Sequence, residues 1–336
     1  MATLVLTITE TLRYRGKIGQ WSWALHRIAG LGTLLFLFLH VIDTSWAVFY
    51  PELYKEAIRQ YQSPLFTVGE FALVACVVYH ALNGFRIVIF DWRPKWWSKQ
   101  ADAARLVMLG TIIILVPTFV LMFTHVLDHY RISGFNLYLQ EIISTQSKFA
   151  AGVVAVLVIG IAVSAVYSLL PGVNQPKHGH TSQIDKFIWT FMRVSGILII
   201  PLVLGHLAMM HVIQGVFDIT TAGVTPVGAT AVAGSAANMS GTAPEFVALR
   251  WNTMFAGVFI WRIYDVGLLI LAVIHGFSGL RYVVNDYAHN IVINRGMNIA
   301  ILATAIGLIV IGGLAILNTI PTDTVRMLEQ TTQAIR

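Results

Sequence analysis

The chain has 336 residues, 57% of them hydrophobic and 11% charged, with a mean hydropathy of +0.72 and a formal net charge of +6. Soluble domains carry about a quarter charged residues, so most of this chain belongs in a lipid bilayer. The single cysteine, Cys76, excludes an internal disulfide and a cysteine-held cluster. The basic residues are scattered between apolar runs, which excludes nucleic acid as a partner and points to membrane loops.

The opening residues are too weakly apolar for a cleaved signal peptide. Arg13, Arg15 and Lys17 then precede a first span predicted at 24–49. A loop of balanced charge (Glu52, Lys55, Glu56, Arg59) leads to a second span at 65–90, followed by Arg93, Lys95 and Lys99. The third span, at 105–127, ends near His125 and His129, which share a helix face. The fourth, at 149–170, reads "FAAGVVAVLVIGIAVSAVYSLL", has almost no polar content, and is followed by Lys177 and Lys186. The fifth, at 187–217, is long enough to imply tilt or an extension beyond the lipid. Small, turn-prone residues in "TAGVTPVGATAVAGSAANMSGTAPE" predict an irregular loop. Spans at 260–284 and 294–319 bring the total to seven, with Arg295 after the sixth. The loops rich in Lys and Arg fall on one side, which places the N-terminus in the cytoplasm and the C-terminus outside.

Polar residues inside these spans repeat. In the first span Arg27, Gly30 and His40 stand at relative positions 0, 3 and 13; in the fifth, Arg193, Gly196 and His206 do the same. In the second span His80, Gly84, Arg86 and Asp91 stand at 0, 4, 6 and 11; in the sixth, His275, Gly279, Arg281 and Asp286 repeat that order. The offsets are 166 and 195 residues, and the difference falls in the long loop. The chain therefore divides into a three-helix unit at 1–130, a connecting segment with an extra span at 131–184, a second three-helix unit at 185–320, and a tail at 321–336. Three crossings would leave the second unit inverted; the fourth span restores its direction. The expected fold is an all-α membrane protein of about seven transmembrane helices: two parallel three-helix repeats joined by an extra helix. Two helices from each unit form a four-helix bundle with facing histidines.

An ionisable group within a span faces a partner or a cavity. Matched histidines in four helices satisfy what haem b needs: two neutral imidazoles on opposite faces of the ring, with no cysteine. Pairing across the pseudo-twofold gives His80 with His275 and His40 with His206, hence two bis-histidine haems. Gly84 and Gly279 follow their histidines by four residues and would let a flat macrocycle lie against the backbone. Gly30 and Gly196 are equally explained by close helix packing. Arg86 and Arg281 are candidates for pairing with haem propionates, with snorkelling to the interface as the alternative. Counting residues from the loops, the His80/His275 haem lies nearer the cytoplasm.

"WALHRIAG" followed by "HALNGFRIVIFD" resembles the large cytochrome b anchor subunit of succinate:quinone oxidoreductase (respiratory complex II) and of fumarate reductases. "HGFSGLRYVVNDY" resembles the second, smaller anchor, so the chain reads as a fusion of the two. The resemblance implies a succinate dehydrogenase anchor that holds a flavoprotein and an iron–sulfur protein on the cytoplasmic face of the cytoplasmic (inner) membrane. It implies haem b and electron transfer to a membrane quinone, menaquinone or ubiquinone, with succinate oxidation left to the partners. Single-haem relatives use the positions of His80 and His275; two-haem relatives add those of His40 and His206. By the same resemblance Arg27, Asp286 and Tyr287 form the quinone site, and His26 touches a propionate. Tyr287 is suited to donate to a quinone carbonyl, Arg27 to offset developing negative charge, and Asp286 to relay protons. A serine expected one turn before the His-Arg pair is displaced here: Trp23 takes its place and Ser22 is one residue off.

Weaker features read otherwise. His125 and His129 suggest a metal pair or proton relay, but no third ligand is in view; His211 reads as structural. Asp91 reads as helix termination beside a positive partner, and Glu70 as a candidate for a second quinone site or a proton path. Competing readings are the cytochrome b of another quinone-linked dehydrogenase or of a fumarate reductase and, further off, a haem-free transporter.

Overall fold

The computed structural model describes residues 16–50, 53–54, 57, 64–133, 139–170, 183–207, 251 and 256–318. Its elements are α1 (Ile18–Phe49), α2 (Pro64–Trp92), a 3-10 turn (Pro94–Lys99), α3 (Gln100–Ser133), α4 (Leu139–Tyr167), α5 (Gln183–Leu207), α6 (Ile260–Tyr287) and α7 (Ile291–Leu317). The helices are apolar on most sides, as helices facing lipid must be, and helix formation satisfies their backbone groups internally. Among the described residues six are long and apolar enough to cross a membrane, and the described apolar part of α4, Ala151–Tyr167, is shorter. The protein is therefore an all-α membrane protein. The part of the predicted fifth span beyond Leu207, His211, and the small-residue loop lie outside the described residues; so do the side chains of His125 and His129.

The ends of the helices follow from local chemistry. Proline opens α2, where its missing N–H costs nothing. Asn290 caps α7, its side chain accepting from the backbone N–H of Val292 and Ile293 at 2.9 and 3.2 Å. At the other end of α7 the buried Arg262 donates to the carbonyls of Ile316 and Leu317, satisfying groups a helix terminus leaves open.

Four helices close on one another: α1 packs on α2, α2 on α5, α5 on α6, and α6 on α1. The third helix of each unit sits outside this ring, and the two differ. Helix α3 lies on α2 and α1, whereas α7 lies on α6 and crosses to α1. The main buried cluster accordingly joins Leu34 and Val41 of α1, Leu269, Val273 and Phe277 of α6, and Leu308 and Ile316 of α7.

The extra helix α4 has more than a connecting role. It packs along α7 with backbones in contact: a Cβ on Gly160 would lie 2.5 Å from the Gly296 carbonyl oxygen, and one on Gly296 would lie 2.5 Å from the Ile161 Cα. Small residues allow this approach in lipid. Ser164 donates to the Val292 carbonyl at 2.8 Å, and Arg295 donates to Ser168 at 3.2 Å.

Candidate functional site

One end of the four-helix ring carries two ion pairs, both between units. Arg27 of α1 pairs with Asp286 of α6, and Arg193 of α5 pairs with Asp91 of α2 at 2.7 Å. Each guanidinium also stacks on a tryptophan one turn before it: Arg27 on Trp23 at 4.3 Å and Arg193 on Trp189 at 3.4 Å. The two clusters are pseudo-symmetric, and Asp91 has an interhelical partner rather than a merely local one. They differ beside the aspartate. Tyr287 brings a phenol, 66% exposed, where the other cluster has the indole of Trp92, 79% exposed. A phenol can donate and exchange a proton; an indole N–H only donates. Ser22 stands apart from this surface. It is buried, donates to Asn83 Oδ1 at 2.9 Å, and accepts from Tyr79 OH at 3.2 Å.

Farther in, the predicted histidines meet in the predicted pairs. The rings of His80 and His275 lie 6.4 Å apart between centroids, and those of His40 and His206 lie 6.2 Å apart. Their planes cross at 81° and 84°. Metal–imidazole nitrogen bonds are about 2 Å long; two in line, each with its ring centre roughly 1.2 Å behind the nitrogen, separate the centroids by about 6.4 Å. The centroid separation of each pair therefore matches that of two imidazoles that would hold one haem iron. Among the described residues no cluster of three or more His, Cys, Asp or Glu side chains could hold a bare metal ion. A haem needs only two, because its own ring supplies the others.

The His80 ring lies against His26 and Gly30. It stacks on His26 at 4.1 Å, its Nδ1 is 3.2 Å from the His26 carbonyl oxygen, and a Cβ on Gly30 would sit 2.9 Å from its Cε1. His275 is seated the same way in the other unit: a Cβ on Gly196 would lie 3.3 Å from its Cε1, and its Nδ1 is 2.8 Å from Ser195 Oγ. Ser195 Oγ also reaches the Phe191 carbonyl at 2.6 Å, which takes its only proton. The hydroxyl then accepts from Nδ1–H, and His275 Nε2 keeps a free lone pair. Thus Gly30 and Gly196 seat the imidazoles. Gly84 and Gly279 face looser surroundings, with His26 Cε1 at 3.5 Å and Met192 Cε at 3.7 Å from a built Cβ.

Helix rise places the two pairs at different levels. His40 lies 10 to 14 residues along α1 from the stretch that holds the His80 ring, roughly 15–21 Å at 1.5 Å per residue. We refer to His80/His275 as the near pair, close to the ion pairs, and to His40/His206 as the far pair.

Buried polar nitrogens without partners lie on α1 and α2 beside the near pair. His26 Nδ1, Arg27 Nη1, Arg86 Nε and Asn83 Nδ2 are buried and have no hydrogen-bond partner in the protein. Arg86 is 8% exposed, and its Nη1 reaches the Gln100 carbonyl at 3.4 Å. Its head is therefore buried, with this contact directed at the start of α3. Buried polar groups are ordinarily paired, and orphan guanidinium nitrogens suit an anionic ligand. The residues present thus fit a haem with its propionates. Arg281, the counterpart of Arg86, is half-buried.

Two features escaped the reading of the sequence. The tryptophans at 23 and 189 keep the same offset as the arginines they support. Asp265 stands at the position in α6 that Glu70 holds in α2, offset by the same 195 residues. Both follow from extending the repeat toward the helix ends. Ser195 had no such signal, because its counterpart is Ala29.

Residues 9–121 match the family described as succinate dehydrogenase/fumarate reductase transmembrane subunit. The chain is similar to the succinate dehydrogenase 2 membrane subunit of Mycobacterium tuberculosis, with 37% identity over 140 residues, covering 39% of this chain and 100% of the relative. It is also similar to the succinate dehydrogenase hydrophobic membrane anchor subunit of Halobacterium salinarum, with 29% identity over 104 residues, covering 30% of this chain and 80% of the relative. No solved structure matches the chain.

Proposed function

The chain belongs to the succinate dehydrogenase/fumarate reductase transmembrane subunit family, and from that premise we propose that it is the dihaem cytochrome b anchor of a succinate dehydrogenase. In this reading it partners a flavoprotein and an iron–sulfur subunit and passes their electrons to membrane quinone. Its two three-helix units correspond to two anchor subunits, fused through α4. A relative covered over its full length by 39% of this chain supports the fusion, as does the repeat of the histidines, glycines and arginines. The ion-pair end faces the cytoplasm, in keeping with the Lys and Arg residues of the adjoining loops.

The observation that carries the proposal is the pair of inter-unit histidine contacts, with centroids 6.2 and 6.4 Å apart. Bound haem b supplies one-electron redox chemistry. The protein's part is to hold the two imidazoles of each pair apart, fix their tautomers, and give the propionates Arg86, Arg281 and His26. At the near end Tyr287 donates to a quinone carbonyl, Arg27 offsets negative charge developing there, and Asp286 relays protons from the aqueous edge. The pseudo-symmetric cluster of Arg193, Asp91 and Trp92 lacks the phenol and serves to clamp the units together.

The test is haem quantification on the purified complex with its catalytic subunits. Two haems b per chain are expected, with His40→Ala or His206→Ala removing one and His80→Ala or His275→Ala removing the other. A single haem unaffected by His40→Ala would assign the far pair a structural role. No haem in a folded, haem-supplied complex would overturn the cytochrome reading.

A further inference from the structure

The surroundings of the two histidine pairs differ in charge. In the near pair the Nδ1 atoms face uncharged oxygens, the His26 carbonyl at 3.2 Å and the Ser195 hydroxyl at 2.8 Å. In the far pair His206 Nδ1 is buried and has no hydrogen-bond partner, and Oδ1 of the Asp265 carboxylate is 3.7 Å from it. The Asp265 side chain is 10% exposed. Its other oxygen, Oδ2, accepts the indole N–H of Trp251 at 2.7 Å. The Trp251 carbonyl accepts in turn from Arg262 Nε at 2.8 Å, and its ring packs on the main buried cluster. One residue before Asp265, Tyr264 donates to the Leu202 carbonyl of α5, and Gly205 leaves room for its ring: a Cβ there would lie 2.7 Å from the phenol oxygen. The carboxylate is therefore fixed on two sides and placed opposite a ring nitrogen that lacks a partner.

A buried carboxylate is costly in a membrane-spanning helix and marks a function there. Imidazoles that bind a metal through one nitrogen usually donate the other N–H to a carboxylate or carbonyl. That partner fixes the tautomer and raises the basicity of the ligand. Hydrogen bonds at functional sites are often long in the unliganded protein and tighten when the ligand binds, which accommodates the 3.7 Å separation.

We propose that Asp265 is the positioning residue of His206: its carboxylate accepts the Nδ1–H of that imidazole, presents Nε2 to the haem of the far pair, and lowers the midpoint potential of that haem. Trp251 opposes it, because its indole N–H draws carboxylate charge away from His206. This rests on the far pair binding haem. Among the described residues the Nδ1 atoms of the near pair face a carbonyl and a hydroxyl rather than a carboxylate, so the effect is confined to one of the two haems.

The experiment is a potentiometric titration of the intact complex, followed in the haem absorption bands, with the far step identified as the one lost in His206→Ala. Asp265→Asn keeps the shape of the side chain and removes its charge. The ferric-to-ferrous ratio of the far haem at fixed potential is expected to fall by about tenfold or more, an upward shift of about 59 mV or more for a one-electron couple. Trp251→Phe keeps the packing, loses the N–H donor, and should shift the same step the other way. Asp265→Glu retains the charge and guards against a folding defect in the Asn variant; its far step should stay within twofold of the unsubstituted protein. The near step should not move in any variant. Two haems with no shift of the far step in Asp265→Asn would overturn the role of Asp265 while leaving the dihaem reading intact. Shifts of the same sign in Asp265→Asn and Trp251→Phe, or equal shifts of both haems, would also overturn it. A complex in which the unsubstituted far pair binds no haem would remove the premise, and the proposal with it.

Discussion

Gly30→Ala is a one-carbon test of how the near pair is seated. The added methyl would lie 2.9 Å from His80 Cε1 and 3.1 Å from its Nδ1. The ring has little room to retreat, because it stacks on His26 at 4.1 Å and its Nδ1 is held at the His26 carbonyl. Overpacking of this kind costs about 1–3 kcal/mol. If that strain falls on the haem-bound state, haem binding at the near pair weakens by roughly 5- to 150-fold, at about 1.4 kcal/mol per tenfold. Helix propensity acts in the opposite direction, since alanine is favoured over glycine by about 1 kcal/mol, so the folded chain itself should survive. Gly307→Ala is the control: nothing lies within 4 Å of a Cβ there. The assay is haem per purified chain after expression with limiting haem, together with the absorption of the near haem. Gly30→Ala should lose that haem selectively, Gly196→Ala less so because its contact is 3.3 Å, and Gly307→Ala not at all. Equal haem content and spectra in Gly30→Ala and Gly307→Ala would refute the seating argument.

The two ion-pair clusters should part company in steady-state assays of quinone reduction. Arg27→Gln removes a charge-assisted contact worth about 1.5–3 kcal/mol, so turnover with quinone should fall by roughly 10- to 100-fold, whereas Arg193→Gln should reduce thermal stability and leave turnover within a few-fold. Comparable losses of turnover in both would show that the clusters are functionally equivalent. Gly160→Leu should separate α4 from α7, because the added carbon meets the Gly296 carbonyl, 2.5 Å away, rather than a movable side chain. Thermal unfolding should show a loss of about 1–3 kcal/mol from overpacking, with haem per folded chain unchanged, since α4 packs mainly on α7 and is not one of the ring's four helices. Haem loss in proportion to the loss of stability would contradict that separation of roles.

Much of this protein could be read from the sequence alone. Hydropathy and the cost of exposing backbone to lipid predicted an all-helical chain, and six of the seven expected spans coincide with described helices long and apolar enough to cross a membrane. The repeat determined which histidines correspond, because residues as costly in lipid as His, Arg and Asp do not recur at fixed spacing without a shared role. What the sequence could not decide were the contacts between helices distant in the chain. Gly30 and Gly196 read equally well as packing residues until the imidazoles of α2 and α6 were found lying against them. Asp91 read as a local helix end because its partner, Arg193, is 102 residues away. Ser195 has no counterpart in the first unit, and only the packing of α5 on α6 brings its hydroxyl to His275. The extra helix looked like a connector, and only its glycine contact with α7 revealed a packing role. Periodicity and composition record how each segment meets its solvent; which side chains meet one another is settled by helix rotation and crossing, which arise from packing and leave no mark on any single segment.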